Sequence, residues 1–103
     1  MILLSNRNPR LNSSINPRLN NSYSGKYIFD LDNNAEAFIV PANDKIIQVF
    51  NFNLENIMFG VAHFKNGFAL FDLENEFIGH LESDSKGGFN QFDLDNNWIA
   101  SVK

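Results

Sequence analysis

Apolar and polar positions alternate along residues 26–102 in short runs, and polar clusters interrupt them at regular intervals. Phe29-Asp30-Leu31, Phe50-Asn51-Phe52, Phe71-Asp72-Leu73 and Phe92-Asp93-Leu94 repeat one landmark every 21 residues. Period-two alternation bounded by turn residues reads as β-strand. A fixed spacing of this length reads as one supersecondary unit copied along the chain. Four hairpin-sized units follow: residues 26–40, 45–61, 67–81 and 88–102. In each, a first strand ends near the landmark, a short Asn- or acid-rich turn follows, and a second apolar strand closes the unit. The expected fold is all-β, with about eight short antiparallel strands in a meander sheet or small barrel. Units one and two are read with one more turn residue than three and four, which predicts a register change by a bulge.

Alternation also assigns faces. Phe29 and Leu31 share one face, as do Phe50 and Phe52, Phe71 and Leu73, and Phe92 and Leu94; these are taken as the main core. Asp30, Asn51, Asp72 and Asp93 then point the other way, giving an acidic row at Asp30, Asp72 and Asp93. Upstream on that second face lie Ile28, Ile47, Val49, Phe68, Leu70 and Phe89. A solvated face would be polar throughout, so these six residues are expected to meet something: the N-terminal arm, a second sheet or another subunit. Open meander edges invite pairing, which predicts a symmetric homo-oligomer.

The first 22 residues differ from the rest. Asn8-Pro9-Arg10-Leu11-Asn12-Ser13-Ser14-Ile15 is followed by Asn16-Pro17-Arg18-Leu19-Asn20-Asn21-Ser22-Tyr23, an eight-residue repeat. It divides the chain into an Asn/Pro-rich arm, 1–22, and a four-hairpin domain, 23–103. Leu11, Ile15, Leu19 and Tyr23 recur every four residues, so the arm is expected to lie extended on the body or on a neighbour. Arg10 and Arg18 hold equivalent places in it, as the arm's candidate contacts.

Charge sharpens that division. The arm carries Arg7, Arg10 and Arg18 and no acid, whereas the remainder carries five Lys against all twelve acids of the chain. An acidic body is a poor match for a phosphate backbone, which is bound by Lys and Arg; no nucleic-acid partner is expected. No run approaches the roughly 18 apolar residues of a membrane helix, no secretory leader is evident, and there is no cysteine. A cytoplasmic location is the expectation. Seventeen Asn suit a chain rich in turns.

Candidate chemistry is thin. Asp30-Leu31-Asp32-Asn33-Asn34 and Asp93-Leu94-Asp95-Asn96-Asn97 begin like a calcium loop. Ala35 and Trp98 stand where its Gly belongs, however, and no bidentate Glu follows; acidic hairpin turns explain them better. His63 and His80 lack metal-site spacing, and His80 beside an acid is the only general-base candidate. The serines occupy no nucleophile elbow. Gly87-Gly88 lacks the Lys and helix of a phosphate loop. No metal, no cofactor and no catalysis are expected.

Gly25-Lys26-Tyr27-Ile28-Phe29-Asp30, with its polar turn and Phe38-Ile39-Val40-Pro41, resembles one unit of the bacterial WG-repeat and choline-binding repeat proteins. Both stack hairpins of this size, and the second kind cages sugars or choline with aromatic rings. The resemblance covers unit one; the Trp-Gly pair and glycine-rich turns are absent. The functional expectation is a non-catalytic β-repeat binding or assembly module, acting on itself or on another protein. Its alternatives are a small acidic inhibitor or immunity-type protein masking a basic partner, and a carbohydrate-binding hairpin repeat.

Overall fold

The computed structural model describes residues 25–63 and 66–103. The arm, with Arg10 and Arg18, lies outside the described residues. The rest forms eight strands: β1 (Tyr27–Phe29), β2 (Ala35–Pro41), β3 (Ile46–Asn51), β4 (Asn56–His63), β5 (Gly67–Phe71), β6 (Phe77–Ser83), β7 (Phe89–Asp93) and β8 (Trp98–Val102). Each pairs antiparallel with the next, and β8 returns to β1 through Ile28↔Val102 and Phe29↔Ser101, closing an up-and-down barrel. Closure gives each of these strands a neighbour on both sides, so the described sheet has no open edge.

All four hairpins share one turn geometry. The Asn33 N–H donates to the Asp30 carbonyl and the Asp30 N–H to the Asn34 carbonyl, both at 2.9 Å; the same pair of bonds recurs at residues 51–55, 72–76 and 93–97. Asn33, Leu54, Asn75 and Asn96 hold the left-handed position, with φ of 67°, 66°, 68° and 63°. This is a three-residue loop: a tight turn and then one left-handed residue, a conformation Asn tolerates well. Each turn is followed by the same bulge. Ile28 pairs with Ala37 but Phe29 with Ala35, leaving Glu36 over, and Ile57, Ile78 and Ile99 are left over likewise. The expected register difference between units is therefore absent.

The two faces are the reverse of expectation. The interior cluster is built on Ile28, Ala37, Ile39, Ile47, Val49, Leu70, Leu81, Ala100 and Val102, with Met58, Phe68, Ile78 and Phe89 packed against it. Ile28, Ile47, Val49, Phe68, Leu70 and Phe89, expected as an outward interface, thus line the barrel. The landmark Phe side chains lie outside it, and Leu31, Leu73 and Leu94 are exposed at 56%, 54% and 60%. The reason is volume: eight strands enclose a lumen only wide enough for side chains to fill. Branched and small residues fit there, and most of the phenyl rings do not. Leu31 and its counterparts also sit in the turn, past the end of the strand, where alternation no longer applies.

Apart from Phe68 and Phe89, most of the described Phe rings lie on the outer wall, where several stack. Phe38 stacks on Phe50 at 6.0 Å, Phe59 on Phe71 at 5.4 Å and the His80 ring on Phe92 at 5.1 Å. Among the described residues no helix is long and apolar enough to cross a membrane. The longest of the described strands has eight residues and the lumen is mostly apolar. A membrane-spanning barrel has strands of about 9–11 residues and commonly a polar lumen.

Candidate functional site

Every odd strand runs toward the same end of the barrel, so the turns at 30–34, 51–55, 72–76 and 93–97 crowd together there. Of the chain's twelve acids, all but Asp44, Glu82 and Asp84 lie in or beside these turns, and among the described residues no Lys or Arg does. Among the described residues, every exposed large apolar side chain is at this turn end as well: Leu31, Ile57, Leu73, Phe77, Leu94, Trp98 and Ile99. The opposite end carries Lys26, Lys45 and Lys86.

The acidic row is not a set of free carboxylates. Asp30 Oδ1 accepts from the N–H groups of Asp32 and Asn34 at 2.9 and 2.8 Å. Asp72 and Asp93 cap their own loops in the same way, and the neutral Asn51 does so in unit two. The Asn34 N–H holds the Asp30 carboxyl below the usual carboxylate range, and the Asn97 N–H does this for Asp93. At the far end the N–H groups of Lys86 and then Gly88 lower Asp84. A depressed folded value means stability that is present above the ordinary value near 3.8 and lost as pH falls through the lowered one. The urea midpoint should therefore fall between roughly pH 5 and pH 2. Asn accepts the same N–H bonds, so the triple variant Asp30→Asn, Asp84→Asn, Asp93→Asn should show a shallower acid limb; an unchanged limb would refute the capping account. Among the described residues no three His, Asp or Glu side chains gather as a metal-ligand group.

A groove of about 800 Å³ opens in the barrel wall over β5 and β6. Ala69 forms its floor, Phe71, Phe77 and Phe92 its rings, and His80, Glu82, Asp93 and Asn96 its polar rim. Among the described residues no Lys or Arg lines it. His80 Nε2 lies 2.8 Å from Glu82 Oε2. His63 also borders the groove.

The same patch of wall elsewhere on the barrel is filled. Phe38, Phe50 and Leu54 form a buried cluster with Tyr27, Val40 and Phe52 packed on it. Forty-two residues on, Tyr27 is answered by Ala69, Phe38 by His80, Val40 by Glu82, Phe50 by Phe92, Phe52 by Leu94 and Leu54 by Asn96. All six of these counterparts line the groove. The groove is therefore an aromatic cluster from which the phenol ring and the Leu side chain have been removed. Ala69 and Phe77 were not singled out from the sequence, and Phe71 and Asn96 were read only as a core residue and a turn residue; laying unit three on unit one, position by position, would have shown the large-to-small exchanges.

Elsewhere, the 82–88 loop borders a second cavity of about 400 Å³ at the Lys end. In the lumen, Gln91 stands where its counterparts are Ile28, Val49 and Leu70, and its buried Oε1 has no hydrogen-bond partner. Comparison with family models, with curated proteins and with solved structures gives no match to this chain.

Proposed function

We propose that this protein is a non-catalytic binding module whose turn end docks on a basic protein partner. The observation that carries this reading is the coincidence, on one end of the barrel, of exposed Leu31, Leu73 and Leu94 with a ring of carboxylates and, among the described residues, no Lys or Arg. Contiguous exposed apolar surface rimmed by polar groups marks an interaction site. A field of one sign steers an oppositely charged partner and raises its association rate, while the apolar tips supply the buried contact. Turn end against turn end would oppose like charges, so the partner is a different, basic protein; contact with the Lys end of a second copy is the self-assembly variant. A cytoplasmic location belongs to the same reading. The test is retention of partners on immobilised full-length protein and on the variant Leu31→Ser, Leu73→Ser, Leu94→Ser. A basic protein should be held by the parent, released by raised salt and held at least tenfold more weakly by the variant. Equal retention by both would sink the reading. Solution mass separates the two variants of the idea, since self-assembly alone raises it.

A further inference from the structure

We propose that the groove over Ala69 is a binding site for a small aromatic amine, a planar ring bearing a primary ammonium. The fold supplies the template. In the filled counterpart the space is occupied by the phenol ring of Tyr27, which lies 6.2 Å from Phe52, and by Leu54, which is buried on Phe38 and Phe50. Leu54 is held there at φ 66°, a conformation that a side chain of its size seldom adopts. Its counterpart Asn96 adopts φ 63° with a side chain suited to it. The groove thus keeps the walls of a ring-binding cluster and lacks the ring. Phe71 and Phe92 remain, each already stacked on a neighbour, and flat walls of this kind favour a flat guest.

The exchanges that opened the groove also changed its charge. Val40 and Phe38 give way to Glu82 and His80, and Asp93 adds a second carboxylate, so among the described residues the rim offers acceptors and anions without Lys or Arg. The guest that complements apolar walls and such a rim carries its charge as an ammonium. The barrel already holds one against the same outer wall: Lys103 Nζ sits 5.3 Å over the ring of Phe29, the counterpart of Phe71 and Phe92. The volume suits a free small molecule, since sites for these run to about 300–1,000 Å³.

Tyramine is the probe, titrated into isotope-labelled full-length protein and followed by amide shifts, with the neutral analogue tyrosol as its control. Saturable shifts should centre on Ala69, His80 and Phe92, and tyramine should bind at least fivefold tighter than tyrosol. Ala69→Tyr restores the filled arrangement and should weaken tyramine at least tenfold. Glu82→Val, an exposed change copying Val40, should bring the tyramine and tyrosol affinities together and keeps the test decisive if Ala69→Tyr does not fold. Shifts elsewhere, no saturation, or undiminished tyramine binding in either variant would overturn the proposal. So would binding that appears only after Leu11, Ile15 and Leu19 are changed to Ser, because the occupant would then be this chain's own N-terminal segment.

Discussion

Leu70→Asp should abolish the fold, and Leu73→Asp, three residues on, should leave it intact. Leu70 is 1% exposed inside the barrel, among the branched side chains of the interior cluster. The substitution removes an apolar side chain whose burial contributes about 2–3 kcal/mol. It also places a carboxyl where nothing solvates it, which costs several kcal/mol more or forces the group to stay protonated. A domain of this size has about 5–15 kcal/mol of stability to lose, and a small one sits near the lower bound. The circular-dichroism signature of β-structure should therefore disappear and no cooperative urea transition should remain. Leu73 projects from a turn, so its replacement should change stability by no more than about 0.5 kcal/mol. A folded Leu70→Asp beside an unfolded Leu73→Asp would put the landmark Phe and Leu residues back inside.

That pair of variants marks where sequence reasoning stopped. The hairpins were legible because turn chemistry is local: a short Asn- or acid-rich cluster between two apolar runs recurs in each unit. The choice of inner face was not, because alternation separates two faces without saying which one closes on itself. Phe29, Phe50, Phe71 and Phe92 are large apolar residues repeated at a fixed spacing, and that regularity assigns them to the core. The narrow lumen decides against them, and they are covered instead by cross-strand neighbours on the outer wall. Closure was equally hidden, since the Ile28↔Val102 pairing joins the two ends of the hairpin domain and leaves no local signature. The bulges too were misplaced: Glu36, Ile57, Ile78 and Ile99 look like ordinary strand residues, although each is left over in its ladder.

Of the candidate sites, the acidic turns were visible in the sequence and their role as loop caps was not, because an Asp row is read as outward-facing unless the N–H donors are known. The groove was recorded in the chain as exchanges between repeats. Tyr27 and Ala69 hold one structural position, and so do Leu54 and Asn96. The informative quantity is the departure from the repeat, and it becomes readable only once the two positions are known to occupy equivalent wall.

Gly79→Ala should be the most damaging conservative change in the wall of that groove. Gly79 pairs with Leu70 on one side and Asp93 on the other, where the other units have Ala37, Met58 and Ala100. Its φ is 154°, and a Cβ built on it would lie 2.1 Å from the Phe92 carbonyl oxygen, a backbone atom that cannot swing aside. Backbone strain at such a position costs about 1–3 kcal/mol, and prising β6 from β7 loses at least one ladder hydrogen bond, worth about 1 kcal/mol. At roughly 4–8 °C per kcal/mol for a domain of this size, the melting temperature should fall by about 10 °C or more. Gly87→Ala is the control. It has a positive φ of 91° but nothing within 4 Å of the new Cβ, so it bears backbone strain without a clash and should fall less. If both variants melt alike, the Phe92 carbonyl is not the obstacle and β6 and β7 are not as close as described. If Gly79→Ala alone is severely affected, the strand pair that carries His80, Glu82 and Phe92 depends on that absent side chain for its spacing. Tyramine binding should then weaken in Gly79→Ala even below its melting temperature, because the stacked His80 and Phe92 rings would be drawn apart with their strands.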